Sequence, residues 1–128
     1  MLIPQLHNKV ILLAEDDRSS ILLINTILQP TGVEVITVMN GLEAVATLER
    51  DPKINLVLMD VQMPEMDGIE ATIKIREKNK TIPIIAQTAF ATTEDKARCQ
   101  RVGFTAFIAK PIDIRLLYDT LWVYLNDK

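Results

Sequence analysis

Short apolar runs alternate with amphipathic stretches along the whole chain. Val10-Ile11-Leu12-Leu13-Ala14 is a continuous apolar run, the pattern of a strand covered on both faces. It ends abruptly in Glu15-Asp16-Asp17. A helix is predicted from Ser19 to Leu28, with Pro30 and Gly32 as stop signals. The β-branched stretch Val33 to Val38 reads as a second strand, and Asn40-Gly41 breaks it. Leu42, Val45 and Leu48 mark the next helix. Leu56-Val57-Leu58-Met59 is a third buried strand, ending at Asp60. After a loop with proline and glycine, Ile69 and Ile73 mark a third helix reaching Lys78. Ile82 to Thr88 reads as a fourth strand, with Pro83 at its start because proline has no N–H for the ladder. A fourth helix is predicted from Thr93 to Val102 and ended by Gly103, followed by a short fifth strand from Phe104 to Ala109. Ile114, Leu117, Tyr118, Leu121, Trp122 and Leu125 follow the i, i+3, i+4, i+7 rule of a last amphipathic helix.

Strand and helix therefore alternate five times. That order predicts an α/β protein, a (βα)5 doubly wound sandwich with a five-stranded parallel sheet and helices on both faces. No repeat or linker divides the chain, so residues 1–128 read as a single domain with a leader at 1–8. In such sheets ligands bind outside the carboxyl ends of the strands.

Composition removes several classes of function. Fourteen Lys and Arg against seventeen Asp and Glu leave a net charge of −3, a poor electrostatic match to a nucleic acid. Cys99 is the one cysteine, so no internal disulfide forms. No apolar run approaches the roughly 18 residues that span a bilayer, and MLIPQLHNK lacks the features of a signal peptide. The expectation is a cytoplasmic protein that neither inserts in a membrane nor binds nucleic acid directly.

Polar groups collect at the predicted strand ends: Glu15, Asp16 and Asp17 after the first strand, Asp60 at the third, Thr88 at the fourth, Lys110 at the fifth. Two like charges about 4 Å apart repel by about 4 kcal/mol at an effective dielectric of 20. Clustered carboxylates therefore call for a cation or raised pKa values. A hard divalent ion with oxygen ligands, Mg²⁺, fits the set; there is no EF-hand loop, and the lone His7 and Cys99 make zinc a poor match. A hydroxyl and an ammonium are unnecessary for holding a metal, but they suit the equatorial oxygens of a phosphoryl group. A carboxylate can itself be the nucleophile, and Asp60, ending a central strand apart from the other acids, is the best candidate.

Taken singly, an acid triplet, an Asp after a strand, a Thr ending one and a Lys-Pro pair are ordinary turn and capping chemistry. Their convergence on one edge is what those readings leave unexplained. The segments VILLAEDD, LVLMDVQMPEMDG, PIIAQTA and FIAKP, in this order and with Asp60 45 positions after Glu15, resemble a response regulator receiver domain of two-component signalling. The resemblance is chemotaxis-regulator-like, covers nearly the whole chain, and extends to receivers of hybrid sensor histidine kinases.

The resemblance implies a flavodoxin-like fold and a role for each residue. Asp60 resembles the phospho-acceptor. Glu15 and Asp16 match the acid pair that holds Mg²⁺, Asp16 directly and Glu15 through water, with the backbone carbonyl of Gln62 as a further ligand. Thr88 matches the switch hydroxyl, Lys110 the lysine that contacts the phosphoryl group, and Phe107 the aromatic switch position. The Lys110-Pro111 bond is cis in similar proteins. Asp17, which turns the acid pair into a triplet, is expected to favour the N-terminus of the first helix. Gln87 departs from the usual apolar residue before the threonine and receives no role. Phe90 is expected to shield the acyl phosphate from water.

The implied phosphodonor is a sensor histidine kinase or a histidine phosphotransfer protein; His7, in a short leader without a helix, is a poor internal donor. The implied output is a downstream protein, a self-dimer through the fourth helix, fifth strand and last helix, or onward transfer. The chain is expected to act as a switch rather than an enzyme, with no room for an output domain, either alone or as a piece of a hybrid kinase. Two other classes fit less well. A haloacid-dehalogenase-type phosphatase needs an acid where Gln62 stands. A flavin or nucleotide module needs a Gly/Ser/Thr-rich phosphate loop where the acid triplet stands. A scaffold that kept only the fold leaves the intact polar set unexplained.

Overall fold

The computed structural model describes residues 2–89 and 92–126. Its elements are β1 (Val10–Ala14), α1 (Arg18–Leu28), β2 (Glu34–Val38), α2 (Gly41–Arg50), β3 (Leu56–Asp60), α3 (Gly68–Lys78), β4 (Ile84–Thr88), α4 (Thr93–Val102), β5 (Ala106–Ala109) and α5 (Ile114–Leu125). A short 3-10 turn, Gln29–Thr31, closes α1. The five strands form one parallel sheet in the order β2-β1-β3-β4-β5.

Topology follows from strand order and handedness. The first crossover steps from β1 to β2 in one direction, and the next three step the other way. Right-handed crossovers therefore place α1 on one face and α2, α3 and α4 on the other. α5 returns to the face of α1. The core is split accordingly. Leu12, Val57, Met59 and Ile84 pack with Ala44, Ile75 and Cys99 on the α2–α4 face. Ile11, Leu13, Leu58 and Ile85 pack with Ile24, Leu28, Leu117 and Leu121 on the α1/α5 face. Direction reverses between β1 and β3, so the ends of those two strands frame the crevice where such sheets place their ligands.

Several boundaries differ from the sequence reading, each for a local reason. β4 begins at Ile84 rather than Ile82, because the Ile82 N–H bonds the Asn79 side chain (3.0 Å). β5 begins at Ala106 rather than Phe104, whose N–H closes the end of α4 on Cys99 O. β2 begins at Glu34, one residue after Val33, and α1 at Arg18, one before Ser19. Asn40 caps α2 rather than merely ending a strand, accepting from Glu43 N. Leu42 and Ile73 fall on exposed positions of their helices, and Trp122 is half exposed. Within the segment 2–8, Leu6 is buried, and its N–H bonds Thr31 O at 2.8 Å. Among the described residues no helix is long and apolar enough to cross a membrane.

Candidate functional site

Side chains alternate along a strand with a period of two. That alternation puts Asp60 of β3 and Gln87 of β4 on the α1/α5 face of the sheet and, continued one residue past β1 and β5, puts Glu15 and Lys110 there too. Cross-strand pairing sets their level: Ala14 lies beside Met59, and Asp60 beside Gln87. Groups up to 95 positions apart in the chain thereby meet at one edge.

Lys110 is the hub. Its Nζ lies 2.8 Å from Glu15 Oε1 and 3.4 Å from Asp60 Oδ2. Glu15 is fully buried, and its second oxygen accepts from the Asp17 N–H at 3.1 Å. Asp60 is 6% exposed, and its Oδ1 accepts from the Gln62 N–H at 3.2 Å. Carboxylate oxygens of Glu15, Asp16 and Asp60 all lie within 4.8 Å of one another. The Lys110-Pro111 bond is cis, in line with the sequence expectation.

The electrostatics reflect the crowding. Burial, then the hydrogen bond and charge of Glu15, push the Asp60 carboxyl up to about 7, against the opposing pull of Lys110. Burial by itself pushes Lys110 down, but its hydrogen bond to Glu15 and the charges of Asp60 and Glu15 outweigh that, and the net shift is upward. Among the described residues, three converging carboxylates are served by one ammonium, which at full ionisation leaves two negative charges uncompensated. An all-oxygen donor set of this kind fits a hard divalent cation.

Asp17 stands apart from the cluster. It caps α1, accepting from Ser20 N and Ser20 Oγ (3.0 and 2.8 Å), and these bonds hold its carboxyl below the usual value. Thr88 is buried and points to the opposite face from Asp60. With Gln62, Asp95 and Arg98 it lines a small cavity of about 90 Å³, and its carbonyl accepts from the Lys110 N–H. Phe107 is half-buried against the α2–α4 core, with Lys96 Nζ 5.1 Å from its ring centroid. Phe90 lies outside the described residues. His7 Nε2 meets Gln5 Oε1 at 3.1 Å, and Cys99 is buried with its thiol pushed up by burial, an unreactive state.

One residue matters more than its sequence context indicated. Gly68 reads as a turn residue, yet it is the first residue of α3 and its N–H donates to Val61 O. A Cβ there would sit 2.2 Å from the carbonyl oxygen of Asp60. Only glycine lets α3 approach this closely behind the end of β3. The signal available was a glycine eight residues after the candidate nucleophile.

The chain is similar to known proteins over nearly its whole length. The polar-differentiation response regulator DivK of Brucella anthropi is 37% identical over 121 residues, which cover 93% of this chain and 98% of DivK. The receiver domain of the sensor histidine kinase PA1611 from Pseudomonas aeruginosa, solved with a magnesium ion coordinated in its active site cleft, is 33% identical. It superposes with a TM-score of 0.86, covering 94% of this chain and 99% of that one. The receiver domain of Ssk1 from Saccharomyces cerevisiae, crystallised with the histidine phosphotransfer protein Ypd1, shares the fold at 23% identity. Its TM-score is 0.86, with 98% of this chain and 92% of that one covered. The profile of the response regulator receiver domain matches residues 11–121, and the chain belongs to that family.

Proposed function

We propose that this receiver domain takes a phosphoryl group onto Asp60 from a phosphohistidine of a sensor histidine kinase or a histidine phosphotransfer protein. The observation that carries the reading is the Lys110 ammonium 3.4 Å from an Asp60 oxygen, beside the convergent oxygens of Glu15 and Asp16. An Asp60 oxygen attacks phosphorus in line; the new O–P bond forms as the N–P bond of the donor breaks, and the imidazole leaves. Lys110 moves with the transferred charge from the carboxylate to the phosphoryl oxygens. The Thr88 hydroxyl turns from its cavity to donate to one of them. Water later attacks the acyl phosphate, returning the Asp60 carboxylate and inorganic phosphate.

Glu15, Asp16, Asp60 and the Gln62 backbone carbonyl would hold Mg²⁺. The bound ion supplies the positive charge that lets the acids stay ionised together and that offsets the phosphoryl oxygens. The domain acts as a switch in the cytoplasm rather than as an enzyme on an external substrate. Its output surface is α4, β5 and α5, which meets a downstream protein or a second copy. Withdrawal of Thr88 toward the phosphoryl group opens room for Phe107 to pack inward, which couples the site to that surface.

Intact mass after incubation with acetyl phosphate tests the reading. A gain of one phosphoryl group is expected that requires Mg²⁺ and is absent from Asp60→Asn. Incorporation into Asp60→Asn would place the acceptor elsewhere.

A further inference from the structure

Gln87 is at odds with the strand that carries it. All five residues of β4 are buried, and Gln87 is 1% exposed. Neither its Oε1 nor its Nε2 has a hydrogen-bond partner among the described residues. A carboxamide offers two donors and an acceptor. Burying it unpaired costs free energy that an apolar residue of the same shape would not incur. Such a cost at a reacting centre is expected where the group is used in another state of the site.

Its placement indicates which state. Gln87 pairs with Asp60 on one side and Ile108 on the other, and it shares the α1/α5 face with Asp60 and Lys110. The sheet order sets β4 between β5 and β3. Lys110 nevertheless reaches Asp60 and Glu15, so its four-carbon stem crosses β4 on this face. Gln87 is the β4 side chain on that face at the level of Asp60. The carboxamide therefore lies beneath the path of the ammonium and beside the carboxylate.

We propose that Gln87 is a positioning residue for the phosphorylated state, an inference that rests on Asp60 as the acceptor. Phosphorylation changes what both neighbours need. One Asp60 oxygen becomes the bridge to phosphorus, and the other becomes a carbonyl that Lys110 no longer serves once it follows the charge. Gln87 Nε2 donates to that carbonyl. Gln87 Oε1 accepts from the Lys110 ammonium as it turns away from Glu15, and so steers it toward the phosphoryl group. The amide is unpaired in the resting site because its partners are engaged elsewhere.

Gln87→Met keeps length and removes both polar atoms. Thermal unfolding and the rate of phosphoryl gain from acetyl phosphate with Mg²⁺ are measured on the unaltered protein, Gln87→Met and Asp60→Asn. Gln87→Met is expected to unfold at the same or a higher temperature while its rate of gain falls about tenfold, the factor that one hydrogen bond to a charged group contributes. A higher unfolding temperature with an unchanged rate overturns the proposal and leaves Gln87 a tolerated core residue. No gain in the unaltered protein, or gain in Asp60→Asn, overturns the acceptor assignment and this inference with it. Should Gln87→Met not fold, ¹⁵N NMR of the unaltered protein decides. The Gln87 side-chain amide protons are expected to move downfield and exchange more slowly on phosphorylation, and resonances that stay in place overturn the proposal.

Discussion

The centre of the sheet and its α4–β5 margin are built to different standards. β1, β3 and β4 bury all five of their residues, and Leu12, Leu13, Leu58 and Ile85 are fully enclosed. At the margin, α4 buries only Cys99 and β5 only Ile108. α4 is held mainly by its ends, with a capping box between Thr92 and Asp95 and a left-handed Gly103 at its close. The acids take their positions from the first region; Lys110 follows β5 of the second and reaches across to them, and Phe107, under Lys96, belongs to the second. Close-packed elements hold charged groups to fractions of an ångström, whereas a lightly packed margin has alternative arrangements within a few kcal/mol. A switch needs both, and here they sit on adjacent strands.

The largest test of this contrast is stability. Leu58→Ala, at the centre of the α1/α5 core, is expected to cost about 3–4 kcal/mol in urea unfolding, and Cys99→Ala about 1 kcal/mol. Equal costs would erase the distinction between the two regions. Next in size is the pH dependence of the acid cluster. In the folded protein the Asp60 carboxyl sits near 7, above its ordinary value of 3.8. Its contribution is complete below that ordinary value and is lost as pH rises toward 7. Lys110, raised in the folded state, adds no slope in this range, and exposed Asp17, lowered, has the opposite sign. The Mg²⁺-free protein is therefore expected to lose unfolding temperature between about pH 4 and 7. Asp60→Asn removes this component and Mg²⁺ flattens it; a component that survives Asp60→Asn would assign the slope to other groups. The smallest effect belongs to the margin. Lys96→Ala is expected to cost at most about 1 kcal/mol. It should nonetheless move the aromatic NMR signals of Phe107, and unmoved signals would mean that Lys96 does not hold the ring.

Much of this molecule was legible in the residue pattern. All ten strands and helices were predicted in order, because runs of buried strand residues and the 3.6-residue spacing of α5 are local signals. Errors fell at ends, where one local hydrogen bond decides. The Asn79 side chain takes the N–H that Ile82 would have offered to a strand, and the Cys99 backbone carbonyl takes that of Phe104. Asp17 as a helix cap was also readable, since capping is local. Gly68 was read as a turn because its true neighbour, the Asp60 carbonyl, approaches from behind the helix.

The sequence by itself determined the elements, their order and the presence of four acids, a threonine and a lysine at strand ends. These depend on residues a few positions apart. Strand order and register decided the rest. They bring Lys110 across β4 to Glu15, 95 positions away, set Asp60 beside both, and leave Gln87 buried without a side-chain partner among the described residues. Those relations depend on non-local pairing, and a period of two along a strand gives the face of a residue but not its neighbour.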